Sequence, residues 1–237
     1  MIPKMNLHNH TNFSDGAWSP FEIIQKACDE NLDIIGISDH LQTTKTPSVK
    51  IEDLPNYIEH IENLKAQFKN KIKVVSGIEI DSCPDRSPFV RDLSSFLHDS
   101  GSFYLDYVLV EYIGDPLWDG LSLDEFIKIR NKWDKTVGLA HWNPEYLLET
   151  LGLEKLVKSI SESDLFIEIT SFSRYNRNGI SPFERERPLF KRLAELGVKF
   201  AVGSDTHDDL DDVARITNEI NYLEDLGANI VSFDDKK

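Results

Sequence analysis

The sequence predicts an α/β fold in which repeated strand–helix units close, or nearly close, into a barrel of seven parallel strands. Short runs rich in Val and Ile alternate with longer stretches of helical period, the pattern of βα units on a parallel sheet. No Pro-, Gly- or Ser-rich linker interrupts the 237 residues, so residues 1–237 read as a single domain of ordinary size. An open doubly wound sheet shares this pattern and is the alternative.

In chain order, the strands are expected at Met5 to Leu7, Ile34 to Ile37, Val74 to Ile78, Tyr107 to Val110, Val137 to Ala140, Leu165 to Ile169 and Phe200 to Val202. Between the first two, SPFEIIQKACDEN starts a helix. Ser19 can N-cap it, Pro20 suits its first position, Glu22 completes a capping box, and Ile24, Ala27 and Cys28 mark the buried stripe. Further helices are expected at Leu54 to Phe68, Leu123 to Lys132, Glu154 to Ile160, Pro182 to Leu196 and Asp212 to Leu226. Gly197 and Gly227 stand where helix C-caps favour glycine. The stretch from Cys83 to Ser102 reads as a loop with a short helix.

A hydrophobic content of 40% and a charged content of 28% describe an ordinary globular chain. The N-terminus MIPKMNLHNHT has no apolar core, and no later run approaches a membrane span, so a cytoplasmic protein is expected. The formal charge of −15 argues against nucleic acid as a partner, because such binding relies on Lys and Arg releasing counterions. A small substrate fits better. Cys28 and Cys83 indicate no disulfide framework; Cys83, in DSCPD, reads as a loop thiol, with a soft metal ligand as the alternative.

The signal for function lies in the residues at the strand ends. Strand one runs into His8 and His10, strand two into Asp39 and His40, strand three into Glu79, strand four into Glu111, strand five into His141, and strand seven into Asp205 and His207. In a parallel barrel these ends converge on one face. His8-Asn9-His10 alone is a weak signal, although side chains two apart in extended chain share a side and can reach one ion. Of the seven histidines, however, five stand at or just past strand ends, and only His60 and His98 fall in helix or loop. Glu79 closes the apolar run VVSGIE, where a carboxylate needs a cation or a partner such as Arg or Lys. Imidazole and carboxylate donors without clustered thiolates favour Zn, Mn or Fe over Ca or an iron–sulfur centre. At roughly four to six ligands per ion, two or three divalent ions could share a bridging carboxylate, with Glu79 the candidate bridge.

These residues resemble the polymerase and histidinol phosphatase (PHP) superfamily of metal-dependent phosphoesterases. The resemblance rests on LHNHTNFSDG at 7–16, ISDH at 37–40, GIEI at 77–80, AHWN at 140–143 and GSDTH at 203–207, in the family's order. It implies a distorted seven-stranded TIM-like (β/α) barrel, the PHP fold. It also implies one ion at His8, His10, Glu79 and Asp205, a second at Glu79 and His141, and a third at Asp15, His40 and His207. One position departs from the family: many members carry a histidine just past strand four, where this chain has LVEYIGD and places Ile113. Glu111 resembles a substitute ligand, as in the bacterial tyrosine-phosphatase branch, or is a barrel-interior carboxylate without an ion.

Clustered ions can bring the pKa of a shared water towards neutrality and hold phosphoryl oxygens for attack. The expected activity is therefore hydrolysis of a small phosphorylated metabolite such as histidinol phosphate. Arg174, in EITSFSR after strand six, resembles the family's phosphate-contacting arginine, whereas Arg177, Arg185 and Arg187 read as solvated. His207 and Asp205 join Arg174 as expected catalytic residues, His207 as a candidate proton donor to the leaving oxygen. Trp18, Trp142 and Tyr175 are candidate pocket walls. The competing readings are a nuclease or phosphodiesterase, a protein-tyrosine phosphatase, an amidohydrolase-type barrel, and a non-catalytic binding module.

Overall fold

A computed structural model describes residues 2–91 and 105–233. His98 and the greater part of the expected loop between Cys83 and Ser102 lie outside the described residues; residues 83–91 end in a helical turn at Pro88–Arg91. The described strands are β1 (Met5–Asn6), β2 (Ile34–Ile37), β3 (Lys73–Asp81), β4 (Tyr107–Glu111), β5 (Thr136–Leu139), β6 (Leu165–Thr170), β7 (Lys199–Gly203) and β8 (Asn229–Ile230). They form one all-parallel sheet in sequence order.

The sheet curls until its first and seventh strands meet. The Leu7 amide donates to Val202 O at 2.8 Å, the His10 amide donates to Thr206 O at 2.9 Å, and Asn9 bridges Thr206 in parallel. The expected seven strands thus surround the axis. An eighth, β8, corrects the count: it pairs with Lys199 and Phe200 at the start of β7, below the point where the β1 segment joins. Its two residues are too short to show a strand period.

The helices are α1 (Pro20–Asp29), α2 (Leu54–Phe68), α3 (Leu123–Arg130), α4 (Glu145–Leu151), α5 (Leu153–Ser161), α6 (Pro182–Arg185), α7 (Arg187–Glu195) and α8 (Thr217–Leu226). Three begin with the same S-x-x-E device. Ser19 accepts from the Glu22 amide while Glu22 accepts from the Ser19 amide, and Ser122/Glu125 and Ser181/Glu184 repeat it, satisfying N–H groups that a helix start leaves unpaired. Three expectations are corrected. The single helix from Pro182 to Leu196 is two, broken at Glu186, because Pro188 has no N–H to continue the first. The helix expected from Asp212 is a separate turn, Leu210–Ala214, capped by Asp209, followed by α8. Finally, α4 adds a helix where the sequence pattern predicts none. Gly227 caps α8 in the left-handed conformation, as expected. No described helix is long and apolar enough to cross a membrane.

Alternation along the strands separates two apolar layers. Ile78, Ile80, Val108, Val110, Ile167 and Ile169 belong to the layer between sheet and helices. Val75, Tyr107, Leu109, Phe166 and Ala201 form a second cluster within the barrel. The Tyr107 hydroxyl donates to Leu7 O and lies where a Cβ at Gly36 would stand, and its ring lies where a Cβ at Gly77 would stand. Continuing each inward series by two residues reaches Glu111 on β4 and Glu168 on β6, and by four, past Gly77 and Gly203, reaches Glu79 on β3 and Asp205 just past β7. The carboxylates therefore form the upper layer of an apolar barrel.

Candidate metal centre

The segment from His8 to Asp15 is held by its polar neighbours. Asn9 turns away from the axis and donates to Gly36 O at 2.9 Å, while its amide donates to Ser38 Oγ at 3.1 Å. This leaves His8 and His10 on the other side, with their Nε2 atoms 3.0 Å apart. Asp39 faces this loop: it accepts from the Thr11 amide at 2.7 Å, Thr11 Oγ1 at 2.8 Å and Ser14 Oγ at 2.5 Å. Its role is to shape the turn that presents His10 and Asp15.

Glu79 is the hub. Its Oε1 lies 3.3 Å from His8 Nε2 and 3.2 Å from His141 Nε2, and its Oε2 lies 3.4 Å from His10 Nε2 and 3.0 Å from His40 Nδ1. No Arg or Lys pairs with it among the described residues. Asp205 Oδ1 meets His8 Nε2 at 3.4 Å and His10 Nε2 at 3.2 Å. On the outer side, Asp15 lies 3.6 Å from His10, 3.7 Å from His40 and 3.4 Å from His207. Glu111 lies 3.5 Å from His141 and 3.9 Å from His40. Three groups place their donor atoms close enough to hold an ion: His10, Asp15, His40 and His207; His8, His10 and Glu79; and His40, Glu79 and Glu111. Seven of the nine candidate ligands fall in these groups, with His10, His40 and Glu79 each shared between two, and His141 and Asp205 join the same mouth through Glu79, His8 and His10.

Burial is the largest influence on these groups and opposes their charged forms. In three imidazoles the carboxylates outweigh it. Glu168, Glu79 and Asp205 hold His8 well above its usual range, the facing carboxylates of Asp205 and Glu79 raise His10 to about 9, and Glu111 and Glu79 raise His141 to about 10. The same contacts hold Glu79, Asp205 and Asp15 well below the usual carboxylate range. His40 goes the other way, to about 3, because burial and the neighbouring His10 prevail over Glu79.

The chemistry of the donor set fits divalent ions. His10 Nδ1, Asp15 Oδ1, His40 Nδ1 and both Glu79 oxygens are buried without a hydrogen-bond partner, a concentration of unmet donors and acceptors that proteins normally avoid. They converge on one another, as ligands of shared cations would. Backbone strain gathers here too: His141 (φ 31°), Asp205 (φ 53°) and Tyr112 (φ 66°) are left-handed, a conformation that side chains resist and functional sites retain.

A cavity of about 580 Å³ opens above the cluster, and Asp15, His40, Glu79, Glu111, His141, Asp205 and His207 reach it. Arg174 lines it, exposed and without an ion pair among the described residues. Arg177 and Arg185 are instead bound to Glu145 at 2.5 and 2.7 Å, and Arg187 to Asp225 at 2.9 Å. Tyr175 forms a wall, stacked on His141 at 4.5 Å. Trp142 is buried against Phe190, and Trp18 donates to Asp208 O; the other aromatic walls are Tyr112, Trp118 and Phe172. His60 lies on α2 beside Phe13, and the buried Cys83 joins no ligand group among the described residues.

Two functional residues are missing from the set that the sequence predicts. Glu168 accepts from His8 Nδ1 at 2.9 Å and from the His141 amide at 2.5 Å. Its signal, a carboxylate inside the apolar run LFIEIT, is the same as that of Glu79. A Cβ at residue 203 would overlap the Glu168 carboxylate and crowd His8, which accounts for Gly203. The second is Lys45, whose ammonium is 2.6 and 2.8 Å from the two Glu111 oxygens. It sits in a loop of no regular period and leaves no readable pattern.

Comparison with known proteins agrees with this fold. The PHP domain model matches residues 6–205. A "Probable histidinol-phosphatase" of Deinococcus radiodurans is 25% identical, with 97% of this chain and 96% of the relative covered. The crystal structure of a histidinol phosphate phosphatase from Lactococcus lactis, complexed with zinc, L-histidinol and phosphate, superposes with a TM-score of 0.71 at 17% identity over the whole of both chains. A chain described with the metal-dependent tyrosine phosphatases YwqE from Bacillus subtilis and CpsB from Streptococcus pneumoniae superposes with a TM-score of 0.56 at 17% identity, covering 93% of this chain and 86% of that one. With its strand-end donors, its parallel barrel and a match spanning most of its length, the chain belongs to the PHP domain family.

Proposed function

We propose that this chain is a metal-dependent phosphomonoesterase acting on a small phosphorylated metabolite. The observation that carries the proposal is the Glu79 carboxylate, buried without a hydrogen-bond partner and surrounded by His8, His10, His40 and His141. Divalent ions bound there supply a water of lowered pKa and an electrostatic clamp on phosphoryl oxygens. His8, His10, Glu79, His141 and Asp205 would hold the inner part of the cluster, and Asp15, His40 and His207 the outer part.

The remaining residues explain selectivity. Arg174, free on the cavity wall, offers a planar donor to the phosphate. Tyr112, Trp118 and Tyr175 form a surface for an apolar or aromatic leaving group. His207 Nδ1 is engaged by Asp205 O at 2.9 Å, which leaves its Nε2 lone pair directed at Asp15. That arrangement supports a ligand role over a proton donor. Histidinol phosphate is the metabolite the relatives nominate. Asp208, Asp209 and Asp212 on the cavity rim disfavour a polyanionic nucleic acid. The backbone bonds from Leu7 to Val202 support treating residues 1–237 as one functional domain.

The test is release of phosphate from an aryl phosphate, histidinol phosphate and a phosphotyrosine peptide, with Mn, Zn or Fe added in turn. Metal-replete enzyme turns over at least one monoester, and Glu79→Ala abolishes this. A loss of less than tenfold in Glu79→Ala would sink the proposal.

A further inference from the structure

Lys45 places a fixed positive charge where the ligand pattern leads one to expect only donors to metal. Its ammonium contacts both Glu111 oxygens, at 2.6 and 2.8 Å, and the Tyr112 hydroxyl at 3.1 Å, and stands 5.0 Å from the Tyr112 ring centroid. Glu111 is 1% exposed, so this is a buried carboxylate with the lysine ammonium on both of its oxygens and His141 beside it at 3.5 Å.

The surroundings hold that cation in place. Gln42 and Val49 pair across the loop, the Gln42 amide donating to Val49 O at 2.8 Å and the Val49 amide to His40 O at 2.9 Å. The Thr44 amide donates to Arg86 O, and the Lys45 amide to Thr43 Oγ1. Tyr112 is itself fixed, stacked on Trp118 at 4.9 Å with the Arg86 guanidinium over both rings. Arg86 in turn is anchored on the buried Asp81. An ion at His40, Glu79 and Glu111 needs a bond of about 2.0–2.2 Å to a Glu111 oxygen. Both oxygens are already engaged, and the new charge would sit beside the ammonium.

We propose that Lys45 takes the place of an ion at the Glu111 edge. The chain then binds two divalent ions, one in the inner part of the cluster and one at Asp15, His40 and His207, with the ammonium as a third, covalently attached positive charge. Glu111 is the counter-charge of Lys45 and not a metal ligand. This inference rests on the reading of the cluster as a metal-dependent phosphatase centre and specifies how that centre is charged.

The experiment compares the metal content of wild type, Lys45→Met, Lys45→Arg and Glu111→Gln. Each is saturated with Mn, freed of excess and measured by mass spectrometry, with circular dichroism to confirm folding. Two ions per chain are expected in wild type, Lys45→Arg and Glu111→Gln, and three in Lys45→Met. Three ions in wild type, loss of an ion in Glu111→Gln, or two ions in a folded Lys45→Met would overturn the inference. If Lys45→Met does not fold, wild type and Glu111→Gln still decide. Three ions together with intact phosphatase activity would remove this inference alone, whereas a wild type that binds none would remove the phosphatase reading as well.

Discussion

The Glu168 carboxylate accepts a 2.9 Å hydrogen bond from His8 Nδ1, which turns the other nitrogen of the ring towards Glu79 and Asp205. A carboxylate behind an imidazole ligand fixes its tautomer and raises its basicity. Glu168→Gln keeps the shape and an acceptor but loses the charge, so metal affinity should fall by about 10- to 100-fold with the fold retained. Competition against a graded chelator measures this. Unchanged affinity would leave Glu168 as a packing residue.

Gly203 supplies a second route to the same point. A methyl group at residue 203 overlaps the Glu168 carboxylate, so Gly203→Ala should reproduce the affinity loss of Glu168→Gln. Adding it to Glu168→Gln should cost little more, because contacting residues are not additive. Fully additive losses would separate the two positions.

Arg174 and Arg177 are three residues apart but differ in engagement. Arg174→Ala should lower kcat/KM for a phosphate monoester by about 10- to 100-fold, the cost of losing a charge-assisted contact to an anion. Arg177→Ala removes a partner of Glu145 and should stay within about twofold, since an exposed ion pair contributes little. Equal effects would contradict the assignment of Arg174 to the phosphate.

Without metal, the folded chain should lose stability as pH rises from neutral. His10 and His141, raised to about 9 and about 10, bind protons that an unfolded imidazole of pKa ~6.5 releases. Their contribution is complete below about pH 6.5 and is lost as pH climbs through those folded values. His40, lowered to about 3, has the opposite effect, but only below about pH 6.5. Chelated protein should melt about 5 °C lower at pH 9 than at pH 6.5, a shift of ~1–2 kcal/mol for a chain of this size. Added Zn or Mn should reverse the slope, because ions bind deprotonated imidazole. A flat melting profile in chelator would be evidence against proton occupancy of the cluster.

Asp39 satisfies three donors of the Thr11–Ser14 turn. Asp39→Ala strands them in a buried site and should cost about 3 kcal/mol by denaturant titration. It should also weaken metal binding, since the turn carries His10 and Asp15. A stability loss under 1 kcal/mol would show that water can take its place.

The parts of the site legible in the sequence are those written as residue type after an apolar run. His8, Glu79, His141 and Asp205 each close or follow an apolar run, and topology alone carries them to one mouth. Asp15 needs the family resemblance, because a polar turn says nothing about what it faces. Lys45 is unreadable for a physical reason: its position depends on the Gln42–Val49 pairing and on a partner 66 residues away. The fold shows the same division. Strands and capped helices leave periodic traces, whereas β8 is too short to do so. Pro188, which splits α6 from α7, is present in the sequence and is a readable break.

The seam between Leu7 and Val202, extended by Asn9 and Thr206, joins the first strand of the barrel to the seventh. His8 and Asp205, like His10 and His207, stand 197 positions apart in the sequence. The cluster therefore depends on contacts of long sequence separation, which close late in folding. Once loaded, the ions act as a clasp across that late-forming seam, so removing them should loosen the first strand before any other part of the barrel.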